Sequence, residues 1–395
     1  MTRNSLSRRR FLGLGAALAG TAFAGSACTT SGSSPRGPIR VGLILPKAGP
    51  YLPIAADELK GFQLYLKLND NMIGGRPVQL FHADEGVTQK SAAAAAKQLV
   101  DQHRVHVITG CISSLGIGGA AEVAPKARIP LLGSCANSSA TQGRDFVRSS
   151  GFINAHSGIS LGRYVAGAHK RDKIFLIGPD YQAGHDYLNS FKDTLVPSGG
   201  RVAGTVYTPF PGTKDFSSAF DAVRASDADA VYAFYAGQDA VNFVQQYQKG
   251  GMADDYQLYA PGFMTEGSNT LHLEGSAATG LLTAMYYAPD LDNPANRSYV
   301  AVYQDEYDGL PNSYSVSAND AFVVLDRAVA AVGSDLSGPS LFKAIASVGQ
   351  VDSPRGPWTF GRNGVPVQKW YLRKVQRDGG VLSNVVVQDL GTLGD

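Results

Sequence analysis

From Ile39 onward, short apolar runs alternate with segments of helical period, and this alternation constrains the fold more than any other feature of the chain. Runs at 39–45, 78–82, 105–109 and 129–132 read as strands, with helical patterns at 55–69, 91–103 and 114–127 between them. The pattern restarts at 173–177 and continues through strands 201–207, 229–235 and 256–260, with helices 185–196, 215–225 and 239–249. Strands this short and apolar, each followed by a helix, predict mostly parallel sheets covered on both faces. A polar, Gly-containing passage at 145–153 separates the two blocks, and a second shift falls at 275–283. Helical patterns at 295–308, 316–332 and 339–347 follow. The tail then turns strand-like at 358–360, 367–375 and 382–388, with Gly-rich turns between, which predicts an edge hairpin added to one sheet.

The first 38 residues have a different character. Arg8, Arg9 and Arg10 precede Phe11 and Leu12, and an uncharged stretch runs to Ala24. That stretch is too short and too rich in Gly and Ala for a bilayer span, so residues 1–27 read as an export signal. Ser7-Arg8-Arg9-Arg10-Phe11-Leu12 resembles a twin-arginine signal, which makes the export machinery a partner. Gly25-Ser26-Ala27-Cys28 resembles a lipoprotein processing site with Cys28 as the lipidated residue, although Gly25 stands where Leu is usual. Ala22-Phe23-Ala24 offers a competing soluble-secretion cleavage. The Ser/Thr/Gly-rich residues that follow favour the lipid anchor, with 28–38 as a flexible tether, because a domain held at a membrane surface needs one.

About 360 residues remain, too many for one core and enough for two α/β domains. The formal charge of +2 includes four Arg of the leader; without them 31 basic residues face 33 acidic ones, which gives no reason to expect nucleic acid. Cys111 and Cys135 are the only cysteines of the body. They end neighbouring strands, where they could form a disulfide or pack as two buried thiols.

Ile39-Arg40-Val41-Gly42-Leu43-Ile44-Leu45-Pro46, Gly61-Phe62-Gln63-Leu64, Ile73-Gly74-Gly75-Arg76-Pro77-Val78 and Asp352-Ser353-Pro354-Arg355-Gly356-Pro357-Trp358-Thr359-Phe360 occur in order along residues 39–388. With them the chain resembles a type I periplasmic binding protein, the solute receptor of an ABC importer. The branch it resembles serves branched-chain amino acids, amides, urea and related compounds. The resemblance implies an α/β fold of two Rossmann-like lobes with a central cleft and three hinge crossovers. Residues 39–150 with 279–350 would form one lobe, and 151–278 with 351–395 the other. It also implies ABC permease subunits as partners, no cofactor, and contact with the membrane through the lipid anchor alone.

Open α/β sheets bind ligands beyond the carboxyl ends of their strands, and that rule selects the same loops as the resemblance. Tyr51 follows the first strand. Ser113 and Ser114 open the helix after 105–109 and present hydroxyls and N–H groups to a carboxylate or carbonyl oxygen. The resemblance puts Ser114 at the position most used for the ligand, and Ala136 and Asn137 at two further contacts. From the second lobe, Tyr181 and Tyr235 are expected to close over the ligand. Ala183 takes a position that is often aromatic in the family. Amino-acid receptors place an acid near the position of Phe263, where it pairs with the ligand's ammonium. This chain offers only Glu266 nearby, or Asp239. A buried ammonium without a carboxylate is costly. A small carboxylate or amide without an α-ammonium is therefore favoured, with branched-chain or aromatic amino acids next.

The seven His residues form no HxxxH or HxH pattern, Ser113 lies in no Gly-x-Ser-x-Gly elbow, and no Gly-x-Gly-x-x-Gly follows the first strand. Neither catalytic nor metal-binding residues are expected. The competing function is a ligand-sensing receptor subunit of the same fold, controlling a regulatory partner.

Overall fold

The structure, a computed structural model, describes residues 37–137, 139–169, 172–378 and 380–394. The export signal, Cys28 and the tether as far as Arg36 lie outside the described residues. Ala136 and Asn137 are described by their backbone alone.

The first sheet uses β1 (Ile39–Leu45), β2 (Met72–Ile73), β3 (Arg76–Asp84), β4 (Val107–Gly110) and β5 (Leu131–Gly133). Beyond the short parallel pair β6 (Ala136–Asn137) and β8 (Phe152–Ile153), its last strand is β7 (Val147–Ser149), giving the order β2-β3-β1-β4-β5-β7. All its pairings are parallel except the β2 to β3 turn. β1 is apolar and buried along nearly its whole length, as a central parallel strand must be.

The second sheet holds β9 (Lys173–Pro179), β10 (Arg201–Thr208), β11 (Ala230–Ala233), β12 (Gln257–Pro261) and β13 (Leu282–Met285), joined in parallel. β14 (Thr359–Phe360), β15 (Pro366–Asp378) and β16 (Val381–Leu393) complete it, with β15 antiparallel to β13 and β16 antiparallel to β15. The edge hairpin expected from the tail is this β15–β16 pair.

Helices α1 (Leu52–Leu68), α2 (Gln89–Asp101) and α3 (Ser114–Ala127) follow strands of the first sheet, and α4 (Asn154–Ala168) and α5 (Gln182–Leu195) pack together on the second. Two of these helix starts are written locally. Thr88 and Ser91 form a capping box on α2, and the Ser113 hydroxyl accepts from Gly116 N–H to cap α3. The chain crosses to the second sheet after β7. After β13 it returns, and the long helix 313–332 packs on α1, with Phe322 against Phe62 at 4.6 Å between ring centres. It crosses a third time to enter β14 and β15. The result is two α/β lobes joined by three crossings.

Arg355 binds these crossings together. Its buried guanidinium pairs with Asp320 at 2.8 Å, donates to the carbonyls of Ser150 and Gly151 and to Gln368, and lies over the rings of Tyr286 and Trp358. Asp320 in turn accepts from the Ser353 hydroxyl and the Trp358 indole.

Candidate ligand-binding site

Between the two lobes lies a small cavity, with about 330 Å³ of empty space that includes the solvent at its mouth. Seven aromatic side chains line it: Tyr51, Phe152, Tyr181, Tyr187, Phe234, Phe263 and Tyr314. Ser113, Ser114 and Asn154 supply polar groups, and no Lys, Arg, Asp or Glu is among the lining residues.

Phe263 sits at its centre, 4.7 Å from Phe152, 5.8 Å from Tyr314 and 6.1 Å from Tyr187 between ring centres. Phe234 lies against Tyr187 at 4.0 Å. Across the cleft the hydroxyls of Tyr51 and Tyr181 meet at 2.9 Å, and Phe210 stacks on Tyr181 at 4.0 Å. These rings form the cover, and the small Ala183 lines the cavity beside them. The lobes touch closely here. Gly237 has φ +59, and a Cβ at that position would meet the Pro50 carbonyl at 2.3 Å, so only glycine permits the approach. On the same rim Asp57 of α1 accepts from the Ser268 N–H and hydroxyl and from Asn312.

The polar end of the cavity is the start of α3. Ser113 lines it, yet its hydrogen bonds turn inward: its hydroxyl caps Gly116 N–H and donates to Glu85 Oε1 at 2.6 Å. Glu85 also accepts from the N–H groups of Ile112 and Ser113, so a carboxylate of the protein already fills that part of the nest. Gly116 makes this possible, because a Cβ there would lie 2.2 Å from Glu85 Oε1. Burial pushes the Glu85 carboxyl up to about 7, against the opposing pull of these hydrogen bonds. Burial also raises Glu58, behind it, to about 8. Ser114 is differently placed. Its oxygen accepts from Asn154 Nδ2 at 2.8 Å, which leaves its own O–H to donate into the cavity at the start of α3.

The expected site residues are only partly brought together. Tyr51, Ser113, Ser114, Tyr181 and Phe263 line one cavity. Ala136 and Asn137 sit in β6, paired with Phe152 and Ile153. Tyr235 does not line the cavity: strand alternation sends Phe234 and Ala236 toward it and Tyr235 to the opposite side. There the Tyr235 ring stacks on Phe243 and its hydroxyl meets Thr208 at 2.9 Å. Met264 follows it, with its sulfur accepting the Tyr235 N–H. Glu266 also lies outside the lining. It pairs with the buried Arg373 at 2.8 Å and accepts Ser313 N–H at the start of the 313–332 helix. Asp239, raised by burial, is likewise not among the lining residues. Cys111 and Cys135 are buried thiols with no disulfide between them. Sequence reasoning missed Asn154, Tyr314, Phe152 and Glu85. The composition of the loop at 151–154 gave no sign that Asn154 would meet Ser114. Among the described residues no cluster of His, Cys, Asp and Glu could hold a metal.

The family model for periplasmic binding proteins matches residues 38–380. A Leu/Ile/Val-binding protein homolog from Brucella melitensis biotype 1 is 28% identical over 368 residues, 90% of this chain and 93% of that protein. A solute-binding protein of an ABC transporter from R. palustris, crystallised with benzoate, is 28% identical with a TM-score of 0.82, covering 90% of this chain and 98% of that one. A leucine-binding protein from Thermotoga maritima shares the fold at 21% identity and a TM-score of 0.78, covering 90% and 99%. Each of these relatives is named as a binding protein, and the R. palustris protein as the solute-binding protein of an ABC transporter. The chain belongs to the periplasmic binding protein family and is the extracytoplasmic solute-binding component of an ABC import system, holding a small ligand between its two lobes.

Proposed function

We propose that the ligand is a small carboxylate without an α-ammonium group, and that an aromatic acid fits best. The observation that carries this reading is the lining itself: seven aromatic side chains and no charged one. An ammonium buried there would have no counter-ion, since Glu266 is engaged by Arg373. A carboxylate has a partner in the Ser114 hydroxyl, beside the nest at the start of α3 that Glu85 occupies. Tyr51, Tyr181 and Phe263 would hold the ring of an aromatic acid by stacking and by excluding water. The benzoate bound by the R. palustris relative agrees with this chemistry. In this reading the lobes divide near residues 150, 278 and 350. The Tyr51–Tyr181 and Asp57–Ser268 contacts then belong to a closed form, which the ligand stabilises by bridging the lobes.

The leader and Cys28 support export followed by a lipid anchor, from which the receptor would reach ABC permease subunits; Cys28→Ser should then release the protein into the soluble fraction. For the ligand, a thermal-shift screen should cover benzoates, aliphatic acids, amides, urea, and branched-chain and aromatic amino acids. A ligand that binds only the folded form raises the melting temperature by mass action. The largest shifts are expected from carboxylates without an ammonium. A dominant shift from leucine, isoleucine or phenylalanine would refute the proposal.

A further inference from the structure

We propose that Asn154 selects ligands that carry a neutral hydrogen-bond donor, a hydroxyl or amide N–H, in addition to the acidic group. The inference rests on the carboxylate reading above and deepens it. Asn154 is the first residue of α4 and is fully buried, yet it lines the cavity. Its Nδ2 donates to the Ser114 hydroxyl at 2.8 Å and to Asp186 Oδ2 at 3.1 Å. A carboxylate accepts and does not donate, so Asp186 fixes which end of the amide is nitrogen. Both Nδ2 hydrogens are thereby engaged, and the polar atom left for the cavity is Oδ1, which has no hydrogen-bond partner among the described residues.

A buried acceptor without a partner is unfavourable, and natural interiors rarely leave one unless a ligand or water fills the place. Asn154 Oδ1 can only accept. The group that completes it must donate, which a bare benzoate cannot do. Tyr314 carries a second unpartnered group in the same cavity, its hydroxyl. A phenol can donate or accept, so Tyr314 tolerates either kind of ligand group and Asn154 does not. The amide is also tied to Ser114, so the acid-binding hydroxyl and the donor-reading oxygen are held in fixed relation. That makes Asn154 a specificity determinant rather than a general contact.

The test is isothermal calorimetry on the whole protein with benzoate and with 2-, 3- and 4-hydroxybenzoate, for the wild type and for Asn154→Leu. In the wild type, at least one hydroxybenzoate should bind about tenfold more tightly than benzoate, the scale of one buried hydrogen bond. In Asn154→Leu the ratio of the two affinities should fall to about one, whatever happens to each alone. Benzoate binding as tightly as every hydroxy isomer in the wild type overturns the inference, even if the variant fails to fold. A preference that persists in Asn154→Leu overturns it as well. Benzoate binding without any preference removes this inference alone, whereas no binding of any of the four acids removes the aromatic-acid reading and this inference together.

Discussion

The hinge and the cavity are both buried between the lobes, and they handle polarity in opposite ways. At the hinge, Arg355 and Asp320 are a buried ion pair, with Ser150, Gly151, Ser353, Trp358 and Gln368 as further partners. In the cavity no charged side chain lines the walls, and Asn154 and Tyr314 each present a polar atom without a protein partner. The hinge charges are held in one geometry by partners within the chain, although Asp320 Oδ1 and Arg355 Nε make no hydrogen bond among the described residues. Unpaired neutral groups in an aromatic box wait for a partner from outside. On the proposed reading, the hinge residues build the receptor and the cavity residues read the ligand.

The largest effect is expected at the hinge. Arg355→Met removes one member of a buried pair and leaves Asp320 without its cation, which should lower the unfolding free energy by about 3–5 kcal/mol. Urea denaturation measures it; a loss under about 1 kcal/mol would mean the hinge charge is not structural. Ser114→Ala should cost less stability, about 1 kcal/mol for the lost buried hydrogen bond from Asn154, and about 1–3 kcal/mol of acid binding by calorimetry.

A pH effect of roughly 3 kcal/mol at most is expected behind the cavity. Glu85 titrates near 4.5 when unfolded and at about 7 in the folded protein, so over that window the folded state binds the extra proton. Its stabilising contribution is complete below about 4.5 and is lost as pH rises through 7. Glu58, raised to about 8, acts in the same direction. Denaturation midpoints should therefore fall between pH 5 and pH 8, and Glu85→Gln should flatten the slope. An unchanged slope in that variant would show that the proton sits elsewhere.

Most of the fold was legible because the parallel strands are mostly short apolar runs and some helix starts carry their own signal, as Thr88 and Ser113 do. The loops of the cavity were legible too, since strand ends in α/β sheets converge. Which side chain in a loop faces inward was less so. The Phe234-Tyr235-Ala236 loop was identified, but a shift of one residue puts Phe234 and Ala236 at the cavity and Tyr235 in the core. Glu266 resembled an ammonium partner until Arg373, 107 positions along the chain, proved to hold it. Glu85 and Asn154 owe their places to contacts with α3 across lobes and strands, and nothing local in the sequence marks them.

On the proposed reading the cavity takes an acid and excludes an ammonium. Calorimetry with matched pairs that differ only in that group, 3-phenylpropanoate against phenylalanine and 4-methylpentanoate against leucine, tests it most directly. The uncharged, aromatic lining predicts that each acid without the ammonium binds at least about tenfold more tightly than its amino acid, because an unpaired buried cation is strongly disfavoured. Phenylalanine or leucine binding as tightly as its matched acid, or more tightly, would contradict the account.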